Sequence, residues 1–235
     1  MSNISYNGTT FEEMGVKVEK IPPIIKGKQR FKQYTIPGRD GILWIDEGTY
    51  EPFTITLECH YDNDIIDTDD ITKWLNNDGK LSLDGVRYYD AFINNAIEFE
   101  KVQYFRKFLI SFLCNPISYE IEEEVFEFEI PGDTSQTLNY YGNTKTWPII
   151  EIKGSGQLIV NFASSYTSSG FTLNASGNDK YIIDCRAKEI TQDGVNKSAD
   201  MNGEFPFIPP ESVLISVSGT GTLTSLKVKY HTAWL

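Results

Sequence analysis

Apolar and polar residues alternate with a period of two along much of this chain, and Gly, Pro, Asn and Asp clusters interrupt the alternation at short intervals. In PFTITLECHYD, Phe53, Ile55 and Leu57 fall on one face and Thr54, Thr56 and Glu58 on the other, which predicts a strand with one wet side. YEIEEEVFEFEIPGD repeats the pattern: Phe126, Phe128 and Ile130 alternate with Glu127 and Glu129, as in a strand with an acidic outer face. From Trp147 onward the runs WPIIEIKG, GQLIVNF, GFTLNA, KYIIDC, SVLISVSG and TLTSLKVKYHTAWL are short and turn-bounded, with GSG at 154 to 156 and GTG at 219 to 221 read as turns. Two-faced strands in that number predict a sandwich of two packed sheets, with no room for βαβ units.

One segment breaks the period. In DTDDITKWLNN, Asp67 or Thr68 can cap a helix start, Asp69 and Asp70 suit its positive first turn, and Ile71, Trp74 and Leu75 share a face. A short helix is expected there, with Trp74 in the core and Tyr88, Tyr89 and Phe92 covering the sheet behind it. Residues 97 to 113 fit two strands, closed by Asn115-Pro116, or a helix over 100 to 113. The polar stretch 131 to 147 reads as a connection, so the expected domains are 1–130 and 131–235.

At 235 residues the chain can bury a core without disulfides or metals. The formal charge of -12 opposes stable binding to nucleic acid or anionic lipid, since each polyanion contact needs a cation that this surface mostly lacks. No cationic leader followed by an apolar run opens the sequence, and no apolar stretch is long enough to span a membrane, so cytoplasmic synthesis is expected. Cys59, Cys114 and Cys185 are far apart and odd in number, which fits small buried hydrophobes.

Catalytic chemistry has little to stand on. His60 and His231 lie in no metal-binding or catalytic spacing, and Glu122, Glu123 and Glu124 project to alternate sides of an extended segment. The acids between Asp62 and Asp70 lack the glycine and glutamate of a calcium loop. No cofactor, no metal and no enzymatic activity are expected. Tyr140, Tyr141, Trp147 and Tyr166 lie in or near loops and are candidate interface residues; as sugar-stacking platforms they would make the second domain a carbohydrate-binding sandwich for host recognition, the alternative reading.

The order of segments resembles the distal tail proteins of siphophages that infect Gram-positive bacteria. ISYNGTTFEEMGVKVEKI is similar to that family's first hairpin, and IPGRDGILWIDEGTYEPFTITLECHYD to its loop-rich segment before a long strand. ITKWL, GKLSLDGVRYYDAFI and FLISFLCNPISY follow, the last carrying Cys114 and Pro116 in a Cys-x-Pro ending. NYYGNTKTWPIIEIKGSG, YIIDCRAKEI and DMNGEFPFIPPESVLISVSGTG are similar to the second domain's entry, a central strand and a late loop and strand; Pro209-Pro210-Glu211-Ser212 replaces the family's usual turn.

The resemblance implies a mainly β protein: an N-terminal β-barrel-like, ring-forming domain with one short helix, then a galectin-like β-sandwich. It implies a homo-hexameric ring at the distal end of the virion's tail, around the DNA channel, joining the tail tube protein to the tail-tip protein. In some relatives the outward domains also hold receptor-binding proteins. On this reading Trp44, Trp74, Cys114 and Pro116 belong to the structural framework. Tyr50, within the 37 to 52 region, joins Tyr140, Tyr141, Trp147 and Tyr166 as candidate interface.

Overall fold

The structure is a computed structural model that describes every residue except 1, 2, 21, 24, 63, 77, 103, 129 to 133, 178 and 179. Two compact units divide it, residues 1–121 with Leu235 and residues 122–234. The division precedes the expected 130/131 because the acidic strand Glu124–Glu127 pairs with Thr222–Tyr230, deep in the second unit's sequence.

In the first unit the strands are β1 (Ser5–Tyr6), β2 (Thr9–Thr10), β3 (Lys17–Val18), β4 (Gln29–Tyr34), β5 (Leu43–Tyr50) and β6 (Phe53–Asp62), then, after helix α1 (Thr68–Trp74), β7 (Asp78–Ser82), β8 (Arg87–Ile93), β9 (Glu100–Val102) and β10 (Phe105–Glu120). One curled antiparallel sheet runs β2-β1-β7-β8-β10-β6-β3, with β9 paired to the start of β10. Asn7 and Gly8 both hold positive φ between β1 and β2, the backbone that a tight two-residue hairpin demands. The β6 alternation holds: Ile55, Leu57, Cys59 and Tyr61 are buried while Thr54, Thr56 and Glu58 are exposed.

Helix α1 begins at its cap, where the Asp67 carboxylate accepts from the Asp69 amide at 3.1 Å. Ile71 is fully buried, and the Trp74 indole packs edge-on against Phe11 at 4.7 Å while its Nε1 donates to the Tyr6 carbonyl at 3.2 Å. Two expectations fail here. Phe92 faces out, because it alternates with buried Ala91 on β8. The chain also does not stop at Pro116: β10 continues to Glu120, and its register with β8 shifts between Cys114 and Ser118, so the proline sits where the ladder is already interrupted and its missing N–H costs no paired bond.

The second unit is built from β11 (Glu124–Glu127), β12 (Ser135–Leu138), β13 (Ile149–Ala163), β14 (Ser168–Ala175), β15 (Lys180–Asp184), β16 (Glu189–Gln192), β17 (Val195–Asn196), β18 (Met201–Gly203), β19 (Val213–Ser218) and β20 (Thr222–Tyr230). Strand β13 organises it. Residues 149–155 pair with β15 and β20, and residues 156–163 pair with β14 and β19. GSG is therefore a bend inside one strand rather than a turn between two: Gly156 holds φ +80, and a Cβ there would come within 2.9 Å of the Gly221 Cα. The bend carries β13 from one sheet into the other, and both halves bury their apolar faces in one core, Ile150 and Ile152 with Leu158, Val160 and Phe162.

Candidate self-association surface

Strands β4 and β5 stand apart from the curled sheet as a two-stranded hairpin. Every residue from 32 to 49 is exposed, including the apolar Tyr34, Ile36, Ile42, Leu43, Trp44 and Ile45. Such a hairpin needs its own cross-strand contacts to hold shape. Phe31 and Trp44 stack at 4.6 Å, Lys32 pairs with Glu47 at 3.1 Å, Lys28 pairs with Glu51 at 3.3 Å, and the Gln29 side-chain amide donates to Asp46 at 2.6 Å. These contacts order the hairpin while leaving its apolar side chains to solvent. Contiguous exposed apolar surface of this kind marks a protein contact.

Trp44 is thus corrected: it is 57% exposed on the hairpin and not part of the core framework. Tyr50 ends β5, half-buried opposite Gln29. Trp74 and Cys114 are framework residues by position, the latter fully buried with its thiol donating to the Phe112 carbonyl at 3.7 Å. Pro116 packs close to Gly27, where a Cβ would approach within 2.6 Å. Burial pushes the thiols of Cys59 and Cys114 up to about 12 and that of Cys185 higher still, so none carries the thiolate that nucleophilic or redox chemistry requires.

In the second unit Tyr140 is also corrected. It is 6% exposed, its hydroxyl donating to the Thr144 carbonyl and accepting from the Ala233 amide, both at 2.8 Å, so it is a buried strut and not an interface residue. Tyr141 and Tyr166 are the exposed ones, at 80% and 89%. Trp147 is half-buried 5.5 Å from Phe207, with the Lys145 ammonium over both rings. The Thr146–Ile208 backbone bridge, 2.9 Å in both directions, fixes that pair.

The acids between 62 and 70 have local partners. Asp67 caps α1, Asp62 accepts from the Asp64 amide at 3.0 Å, and Asp70 pairs with Lys73 at 3.3 Å. At the sheet edge Glu19 accepts from Lys107 at 2.6 Å and lies 3.4 Å from His60. The Lys107 hydrogen bond, more than the smaller His60 contribution, holds the Glu19 carboxyl below the usual range, and it raises Lys107 in return.

The whole architecture superposes on a solved protein. The crystal structure of SPP1 Dit, described as a paradigm of the hub adsorption apparatus in phages that infect Gram-positive bacteria, matches with a TM-score of 0.77 over 100% of both chains. The chain has the Dit fold. At 12% identity the likeness lies in the fold, and no protein-family model and no curated protein matches the sequence. The Dit fold accounts for the order of the parts, a curled sheet with one helix followed by a sandwich, from the first hairpin to the last strand.

Proposed function

We propose that this chain is a structural hub of a siphophage tail: a homo-hexameric ring at the tail's distal end, encircling the DNA path and joining the tail tube to the tail-tip protein. The observation that carries this reading is the end-to-end match to SPP1 Dit, with neither chain left over. The first unit makes the ring, with the β4–β5 hairpin as its contact between neighbours, and the galectin-like second unit offers lateral docking surface to receptor-binding proteins. A chain of net charge -12 beside a sliding polyanion resists sticking to it. The work done is assembly, not turnover, without cofactor. Sedimentation and negative-stain microscopy of the purified chain test it: six-fold rings that grow with concentration support the reading, and rings of another order contradict it.

The Trp147–Phe207 pair with Lys145 favours a second reading, an acidic sugar stacked on the sandwich unit. Glycan-array binding lost in Trp147→Ala supports it; an array without signal removes it.

A further inference from the structure

A groove of about 430 Å³ opens between β6, the start of β10 and the segment at 95 to 100. Its rim carries four carboxylates, Glu19, Glu58, Glu98 and Glu100, against one cation, Lys107, and its floor includes half-exposed Leu109. Lys107 is committed to Glu19 at 2.6 Å, and its charge also feels Glu58 and Glu100. The side chains of Glu58, Glu98 and Glu100 make no ion pair or hydrogen bond among the described residues.

The groove is held open by design of the backbone. The Asn95 side chain donates to the carbonyls of Ala96 at 2.8 Å and Leu109 at 3.1 Å and accepts from the Ser111 amide at 2.7 Å, while the Asn94 amide donates to the Ser111 carbonyl at 3.0 Å. Like charges converging in a fixed concavity repel one another, and a cationic partner removes that cost while gaining a steered, register-setting contact.

The matching cation is on the same unit. The hairpin's other end, Pro37 to Gly41, is fully exposed, and Arg39 there has no ion pair among the described residues, whereas Lys28 and Lys32 are already paired with Glu51 and Glu47. Tyr34, Ile36 and Ile42 flank it with exposed apolar surface. We infer that the hairpin tip of one copy seats Arg39 in the carboxylate groove of a second copy, its apolar flanks resting on Leu109. A knob and a socket at different places on one surface make a heterologous contact, the type that closes into rings. This inference rests on the ring reading above and names the surface that receives the hairpin.

Charge reversal tests it on the full chain by sedimentation. Arg39→Glu alone, and Glu58→Lys with Glu98→Lys, should each weaken self-association by about tenfold or more, and the combined variant should recover most of the loss. Added salt should weaken the wild-type contact. Circular dichroism checks the fold, and Arg39→Gln and Glu98→Gln replace any reversal that does not fold. Wild-type assembly that ignores both reversals, or a combined variant that recovers nothing, overturns the groove and leaves the ring reading standing. A wild-type chain that stays monomeric at every concentration, alone and with the other tail proteins, removes both.

Discussion

Glu151 shares one carboxylate oxygen between Lys229 at 2.9 Å and Lys180 at 3.3 Å, residues of the two strands that flank β13. The Lys229 hydrogen bond, helped by Lys180 and opposed by burial, holds the Glu151 carboxyl below the ordinary carboxylate range. A folded-state value below the unfolded one contributes stability above the unfolded pKa, and that contribution disappears as pH falls through the lowered folded value. Glu151→Gln should therefore cost about 1 kcal/mol at neutral pH. Urea unfolding measured down to acid should show the gap between variant and wild type closing below the ordinary carboxylate pKa. A gap that is constant with pH would assign the loss to packing instead.

Strand β13 and the hairpin show how elements divide the labour between folding and assembly. Gly156→Ala puts a side chain at φ +80 and against Gly221, so it should cost the second unit about 1–3 kcal/mol, read as a lower urea midpoint. Two tryptophans separate the roles in the first unit. Trp74→Ala removes a core contact with Phe11 and should destabilise by about 3 kcal/mol. Trp44→Ala, on the exposed hairpin, should leave the unit's stability within about 1 kcal/mol and instead lower self-association by sedimentation.

The parts that were legible in the sequence are those with a period or a cap. Strand β6 shows its two faces, and α1 announces itself through Asp67 and the Ile71, Trp74 and Leu75 stripe. The hairpin is different: LWIDEGTY is exposed on both faces, so its strand has no alternation to read and passes for loop. Pro116 and the GSG triplet are breakers by local chemistry, yet each lies inside a long strand because a register shift or a sheet-to-sheet bend uses what the residue breaks. Tyr140 and Tyr141 are neighbours of the same type with opposite fates, since only tertiary structure brings the Thr144 carbonyl and the Ala233 amide to one hydroxyl. The carboxylate groove is invisible for the same reason: Glu19, Glu58 and Glu98 converge only once β3, β6 and the 95 to 100 segment are folded together.

At the scale of the whole molecule, each unit has its own buried core, one centred on Tyr6, Phe112 and Leu57 and the other on Val160, Tyr181 and Val228. Each therefore has what independent folding needs, and the first can contribute to a ring while the second serves a separate docking role. The exposed apolar hairpin on a chain with net charge -12 fits a subunit that general repulsion keeps soluble until a specific contact forms. Electron microscopy of intact tail particles labelled on this protein tests the central claim most directly. The account predicts label confined to the end of the tube farthest from the capsid, on a six-fold ring around an open axis. Label along the tube, at the capsid joint, or on no part of the particle would contradict it.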